Sequence, residues 1–465
     1  MNSSLQDTIA AQATPPGEGA ISVVRLSGPA SLPILDALFR GATLPSKAPP
    51  RTFLHGRILD AAGTPLDDVL VLVFRAPKSY TGEDAAEIHC HGNPCIVRAV
   101  LDALFQSGAR LAGPGEFTKR AFLNGKMNLT QAEAVMDLIR ARSDRAVRLA
   151  SDQLHDALGS GISALYAELV SLTADTEAML DFPDDELPQE VPDSVLARAR
   201  AIQSRLSALL SSWNEGRVLR EGLSIALVGA PNTGKSTLLN RLSGRDRAIV
   251  SPIPGTTRDV LEADAVLDGF PVRFLDTAGL RETADVIERE GIARTHRALE
   301  SADLCLCLVD ASRPLSPEEA AFIARQPADR TLVLANKTDL GDLSPTFPLS
   351  PHRPLPLSLK NDRDLSPLVK AILAKAGLSK TAANKGQTGD YQDHVAVSER
   401  HKNLIQAAGR EVARSVALLE VRREDQYLPA ASCFRAALEP LAEILGKDFR
   451  EDTLDSVFSH FCIGK

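Results

Sequence analysis

Cysteine is scarce in this chain: six residues scattered over 465 are too few for a disulfide framework, which suits a reducing compartment. Positive charge is short as well. The formal net charge is −8, so no global field draws the protein to nucleic acid, and any RNA contact must use a local basic patch or a partner. No uninterrupted apolar run of about 18 residues occurs, and the opening Met1-Asn2-Ser3-Ser4-Leu5-Gln6-Asp7 lacks a charged-then-apolar signal pattern. These absences predict a soluble, cytoplasmic protein without a membrane. What the chain has is length: 465 residues exceed a single hydrophobic core, so two to four domains are expected.

The most informative residues lie at the centre. Gly229-Ala230-Pro231-Asn232-Thr233-Gly234-Lys235-Ser236 directly follows the apolar run Leu223–Val228 and opens onto Thr237-Leu238-Leu239-Asn240. A buried strand delivers such a loop, its glycines let backbone N–H groups close around phosphate oxygens, and the following helix adds its dipole. Lys235 supplies a cation to the outer phosphates and the Ser236 hydroxyl a ligand for Mg²⁺. The nucleotide is identified further on, where Asn336-Lys337-Thr338-Asp339 follows the apolar strand Thr331–Ala335. The Asp339 carboxylate can accept from both N1–H and the 2-amino group of guanine, whereas adenine offers neither donor. Sites built on such bonds discriminate better than shape alone. Between the two motifs, Asp276-Thr277-Ala278-Gly279 ends the strand Val272–Leu275, placing Asp276 near the metal and the Gly279 N–H near the γ-phosphate. Gly255-Thr256-Thr257-Arg258-Asp259 supplies Thr257 as the switch threonine for Mg²⁺, and Ser358-Leu359-Lys360 fits the loop that packs on the base. Five motifs in this order, at strand ends, predict a GTPase domain.

One position departs from the Ras pattern. A glutamine there follows Asp-x-x-Gly and orients the attacking water, but here the residue is Leu280. A leucine cannot do this, so catalysis must borrow a polar group, and the charged stretch Arg281–Glu288 supplies candidates. Arg258 reads as a structural residue rather than an arginine finger.

Around this centre the pattern changes twice. Residues 1–124 carry short β-like runs (Ile21–Leu26, Val69–Phe74) broken by Gly and Pro, with helices such as 93–107 between them. Residues 125–215 switch to apolar spacings of three and four (Ala132, Val135, Met136, Ile139; Leu154, Leu158, Ile162, Leu165, Leu169), the signature of long amphipathic helices. The GTPase stretch covers 216–378. Ser379–Gly389 reads as a linker, and helical spacing resumes within 379–465 at Leu404, Ala408, Val412, Val416 and Leu419, then Phe434, Leu438, Leu441 and Leu445, then Leu454, Val457, Phe458 and Phe461. The fold class is multidomain α+β and α/β. The simplest packing inserts the GTPase domain into one discontinuous helical domain; two separate helical hairpins are the alternative.

His89-Cys90-His91-Gly92-Asn93-Pro94-Cys95 resembles a metal cluster, but zinc needs a second pair and none is evident, so a loop of catalytic or ligand-contacting polar groups is preferred. Cys305 and Cys307 read as small core residues of a buried parallel strand. Cys462, in Phe461-Cys462-Ile463-Gly464-Lys465, has the spacing of a prenylation box but not its residues.

Together these features resemble a known family. Asp7–Gly17, Thr81-Gly82-Glu83-Asp84, Pro114-Gly115-Glu116-Phe117-Thr118, Arg120–Lys126, the GTPase motifs embedded between helices and the final Cys-Ile-Gly-Lys look like the bacterial tRNA modification GTPases of the MnmE (TrmE) family, over essentially the whole chain. The resemblance implies an N-terminal folate-binding domain that also forms a homodimer, a discontinuous α-helical domain and an inserted Ras-like GTPase domain. It implies a FAD-dependent partner of the GidA (MnmG) family and the installation of an aminomethyl-type or carboxymethylaminomethyl group at C5 of the wobble uridine of tRNA. The one-carbon carrier would be 5-formyl- or methylene-tetrahydrofolate. By the same resemblance Arg25, Glu87, Lys126 and Lys465 contact the folate, Cys462 is a candidate participant in the modification, and Glu288 orients the water. Asn232, Ser251, Ile253 and Thr256 would form an oxygen cage for K⁺. GTP would be held by residues 232–237, Ser251, Thr256, Thr257, Asp276 to Gly279, Asn336, Lys337, Asp339 and Ser358.

Three residues depart from the family's usual pattern: Thr233, Asn93, and the Leu-Lys after Ser358. None removes a charged or metal-holding group. A different reading, a ribosome-assembly or RNA-binding GTPase switch without modification chemistry, would call for a basic module, and neither flank is basic. A stand-alone folate enzyme is disfavoured because the chain has no FAD or NAD fingerprint.

Overall fold

The protein is described from a computed structural model, which covers residues 7–179, 190–244, 262–276, 299–341, 351–378, 397–447 and 451–465. It divides into two compact units, Met1–Met136 with Leu441–Lys465, and Asp137–Pro440.

The first unit is built on a sheet of seven strands: β1 (Ile9–Gln12), β2 (Gly19–Ser27), β3 (Phe39–Gly41), β4 (Phe53–Leu59), β5 (Pro65–Phe74), β6 (Ala85–Gly92) and β7 (Arg110–Leu111), in the order β3-β4-β5-β6-β2-β1-β7. All pairings are antiparallel except β1 with β7. Along β5, Val69, Val71 and Val73 are buried while Leu70 is exposed, the period-two alternation of a sheet with one packed face. That face meets the helices Ser31–Leu38 and Pro94–Gln106, whose Leu32, Leu35, Val97, Val100 and Leu104 join Val24, Leu26, Val71 and Ile88 in one core. The other face carries Arg25 paired with Glu87, Ile21 paired with His91, and Leu70 paired with His89. The expected loop at His89–Cys95 is therefore corrected: residues 89–92 are the end of β6. Alternation sends Cys90 into the core, where burial and the nearby Asp67 push its thiol up to about 11, and sends His89 and His91 to the opposite face. Asn93 caps the next helix, its side chain accepting from Cys95 N at 2.8 Å.

The helix Glu451–Ser459 also belongs to this unit. Leu454, Phe458 and Phe461 pack on Phe122, Leu129, Ala132 and Met136.

The second unit contains a six-stranded sheet of β8 (Leu223–Val228), β9 (Glu262–Leu267), β10 (Phe270–Asp276), β11 (Leu304–Asp310), β12 (Thr331–Asn336) and β13 (Leu355–Pro356), ordered β13-β12-β11-β8-β10-β9. Only β9 runs antiparallel to its neighbour. Cys305 and Cys307 are buried in β11 as the sequence predicts, and burial pushes the Cys305 thiol up to about 12.

Helices on both sides of this sheet in sequence pack together: Glu190–Ser211 lies on Glu399–Glu420 and on Ala157–Ala178. Arg200 pairs with Glu420 at 2.7 Å, and Arg422 with Asp193 at 2.7 Å. The helical domain is therefore discontinuous and the GTPase domain inserted into it, which excludes two separate hairpins. Ala157–Ala178 is apolar enough by composition to span a membrane, but its Leu158, Ile162, Leu165, Leu169 and Leu172 are buried in this packing. In Glu399–Glu420 the buried position is Ile405, one residue on from the expected Leu404; Ser398 and His401 close a capping box at its start.

Candidate functional site

The phosphate loop has the geometry its sequence predicts. Leu223, Ile225, Ala226 and Leu227 are buried and fix β8, and the loop leaves its end toward the helix Lys235–Ser243. Two glycines are required by close approach. At Gly229 (φ +157°) a Cβ would lie 2.3 Å from Leu308 O, and at Gly234 (φ +106°) 2.5 Å from Asn336 Nδ2. Asn232 takes φ +62° between them, a conformation asparagine tolerates. Lys235 Nζ donates to Gly229 O (2.6 Å) and Ala230 O (2.8 Å), so its charge is folded over the loop that phosphates would occupy. Thr233 is buried, with Oγ1 donating to Ala230 O at 2.9 Å, so its hydroxyl serves the loop itself. Ser236 and Thr237 are exposed in the first helical turn.

The base-recognition loop is tied to the phosphate loop through one buried side chain. Asn336 Nδ2 donates to Thr233 O at 2.7 Å and its Oδ1 accepts from Leu359 N at 3.0 Å, linking the two loops. Asp339 is exposed, but its Oδ1 accepts from Ser358 Oγ at 2.7 Å. Ser358 is itself fixed, its N–H donating to Asp362 at 2.6 Å. Arg241, from the helix after the phosphate loop, donates to Leu359 O at 2.7 Å and also reaches Asp362 O. Lys337 (φ +69°) donates through Nζ to Asp310 Oδ2 at 2.6 Å. Asp310, Asp362 and Arg241 are the supports that sequence reasoning missed. An acidic residue closing the apolar strand Leu304–Val309 was the one available signal.

Asp276 ends β10 level with Leu227 of β8, beside the start of the phosphate loop. Ser251, Ile253, Thr256, Thr257, Thr277, Ala278, Gly279 and Glu288 lie outside the described residues, as do Leu280 and the linker Ser379–Gly389.

A second constellation sits in the first unit. Arg25 donates through Nε and Nη2 to Glu87 Oε1 at 3.0 and 2.9 Å, with its guanidinium 5.4 Å from the Tyr80 ring centroid and 5.7 Å from that of Phe117. Lys465 joins them: burial and the Arg25 charge hold its ammonium below the usual lysine range, against the opposing pull of Glu87 and Cys462. Its placement follows from main-chain bonds, Gly115 N to Cys462 O (3.3 Å) and Phe117 N to Lys465 O (3.2 Å). Gly464 fits because it takes φ +101° and because a Cβ there would lie 2.1 Å from Gln12 O. Cys462 is exposed. Lys126 has other partners, its Nζ donating to Pro77 O at 3.0 Å and its stem lying along Gly82. His89 Nε2 lies 3.7 Å from Glu87 Oε2 and is buried with no hydrogen-bond partner among the described residues, a polar atom at a site able to take a polar ligand.

Comparison with known proteins identifies the family of the chain. The family described as the GTP-binding protein TrmE N-terminus matches residues 8–126, and the one described as the MnmE helical domain matches residues 129–462. A tRNA modification GTPase MnmE of Akkermansia muciniphila is 44% identical over 98% of this chain and 99% of its own length. That of Thermotoga maritima is 41% identical over 99% of this chain and 100% of its own. Among solved structures, Aquifex aeolicus Era with bound GDP·AlF4 is 28% identical, covering 42% of this chain and 67% of that one, with a TM-score of 0.26, a likeness too partial to add to the assignment. The chain belongs to the MnmE family of tRNA modification GTPases.

Proposed function

We propose that the protein couples GTP hydrolysis in the second unit to the modification of C5 of the wobble uridine of tRNA, an aminomethyl or carboxymethylaminomethyl group being installed together with a FAD-dependent partner of the GidA (MnmG) type. The observation that carries this reading is the docking of residues 462–465 beside Arg25 and Glu87. Two cations suit the glutamyl tail of a tetrahydrofolate derivative, and a carboxylate accepts from the pterin amide and amino group. His89 Nε2, which has no hydrogen-bond partner among the described residues, offers a further polar contact. A folate bound there supplies the one-carbon unit; Arg25, Glu87 and Lys465 bind and orient it, with Cys462 exposed nearby. Mass analysis of wobble uridines from cells lacking this chain tests the proposal. Loss of the C5 substituent is expected; unchanged modification would leave a GTPase switch acting on RNA or ribosome assembly.

The same sheet face supports a homodimer. Ile21, Phe53 and Leu70 are 62%, 54% and 42% exposed on it, beside the Arg25–Glu87 pair, and a second copy would cover them.

In the GTP site the proposed Mg²⁺ ligands are Ser236 and Thr257, with Asp276 nearby, and Glu288 orients the attacking water in place of Leu280. The charge that develops between β- and γ-phosphates needs a further cation. Asn232 is exposed at φ +62°, with no hydrogen-bond partner for its side chain among the described residues, and so offers a free oxygen. With Ser251, Ile253 and Thr256 it would hold K⁺. Hydrolysis at saturating GTP and Mg²⁺ should therefore be several-fold faster in K⁺ than in Na⁺ at equal ionic strength, and Asn232→Ala should erase the difference. Equal rates in the two salts for the parent protein would remove the cation from the mechanism.

A further inference from the structure

The side chains of Thr81, Glu83, Glu116 and Arg120, from the motifs around Thr81–Asp84 and Pro114–Thr118 prominent in the sequence, have no role in the reading above. They converge on one point. Arg120 is 1% exposed; Nη1 donates to Asp7 O at 2.9 Å and to the Glu83 carboxylate at 3.2 and 3.3 Å. Nη2 donates to Glu116 Oε1 at 2.9 Å and to the Asp7 carboxylate. Glu83 accepts in turn from Ser27 Oγ at 2.6 Å, and that hydroxyl lies 2.6 Å from the Thr81 hydroxyl. Arg110 adds a second grip on Glu116, with Nη1 2.8 Å from Oε2, and also pairs with Asp7. Burial works to raise the Glu116 carboxyl, but the bonds from Arg110, Gly113 N and Arg120 hold it below the usual carboxylate range.

Burying an arginine among carboxylates contributes little net stability compared with well-packed apolar side chains. What such a cluster fixes is geometry. Glu116 Oε2 accepts from Gly113 N at 2.8 Å and so sets the turn Gly113–Gly115, and Glu116 itself opens the helix Glu116–Leu123. This turn and this first helical turn hold the end of the chain: Gly115 N bonds Cys462 O, Phe117 N bonds Lys465 O, and Pro114 bridges Ile463. They also build the other wall of the site, since Phe117 lies under the Arg25 guanidinium and Thr118 Oγ1 is 2.9 Å from Tyr80 Oη.

We infer that Glu116, locked by Arg110 and Arg120, is the positioning residue that sets Lys465 against Arg25 and Glu87, and through it the affinity for an anionic, pterin-bearing one-carbon carrier. This rests on the reading of that site as the carrier site. Glu116 touches no carrier itself; it acts through the main chain of residues 113–117.

The test uses the full-length protein as Glu116→Gln and, separately, Arg110→Gln, the latter removing a half-exposed side chain. Amide hydrogen exchange is read at residues 113–117 and 461–465, together with equilibrium binding of 5-formyltetrahydrofolate and the rate of GTP hydrolysis. Loss of a charge-assisted bond should lower protection of the Gly115 and Phe117 amides about tenfold and weaken carrier binding by about the same factor, with GTP hydrolysis unchanged. The Arg110 variant should move both readings in the same direction, and it decides the question alone if Glu116→Gln does not fold. Unchanged exchange at 115 and 117, or an equal rise across residues 7–112, would overturn the inference, the second outcome marking Glu116 as a general stabiliser. If the parent protein fails to bind the folate, the carrier reading falls and the exchange result alone judges the positioning.

Discussion

Changing Asp339 to asparagine should weaken GTP binding by about 10²- to 10⁴-fold, one hydrogen bond to a charged acceptor being lost and the other losing its charge, while raising affinity for xanthosine triphosphate. One oxygen of Asp339 is held by Ser358 Oγ, and an asparagine Oδ1 would keep that bond. The amide nitrogen would then replace the oxygen that accepts from the guanine 2-amino group, and it would donate to a 2-oxo group. The phosphate site should be untouched, because the loop at 229–236 is tied to the base loop through Asn336 and not through Asp339. Equilibrium binding of the two nucleotides measures the switch. Equal GTP affinity in parent and variant would show that Asp339 does not read the base.

Removal of residues 462–465 should abolish wobble-uridine modification while leaving GTP hydrolysis and the melting temperature close to normal. The packed part of this segment stops earlier. Phe458 and Phe461 are buried against Phe122, Leu129 and Met136, and their rings lie 5.3 Å apart, so a chain cut after Phe461 keeps its apolar contacts. Gly464→Val should reproduce the deletion, since φ +101° and Gln12 O at 2.1 Å leave no place for a side chain and Lys465 would be lifted from Arg25. Modified uridine is measured by mass spectrometry of tRNA, and stability by thermal unfolding. A drop of many degrees in the melting temperature would assign these residues to the fold instead.

The sheet that carries the GTP site was legible because its information is local: apolar strands, glycines at forced backbone angles and short polar motifs sit next to one another in sequence. β8, β10, β11 and β12 fall within a residue or two of the expected runs. Two features were hidden for the opposite reason. At His89–Cys95 a cluster of polar residue types suggests a loop, but period-two alternation within an antiparallel sheet makes it a strand, and alternation over four residues is a weak signal without its partners. The Arg120 cluster joins residues 7, 83 and 116, whose separations carry no periodicity. Thr233 and Asn93 looked like departures from the family and turn out to be local solutions, a hydroxyl bonded within its own loop and a helix cap. Arg25, Glu87 and Lys465 were named through the resemblance alone; charge on three distant residues says nothing of their meeting until β2, β6 and the tail are placed.

The membership of Leu441–Lys465 in the same unit as the first 136 residues has a consequence for how the protein is made. A ribosome that has finished Met136 must add about 300 further residues before the helix Glu451–Ser459 exists. At roughly 5–20 residues per second, this leaves the apolar surface of Phe122, Leu129 and Met136 waiting for about 15–60 s. During synthesis the GTPase domain can therefore close on itself while the earlier unit remains incomplete. A nascent chain stalled near residue 440 should present a folded nucleotide site together with a sticky, half-built amino-terminal unit, the natural place for a chaperone to hold it.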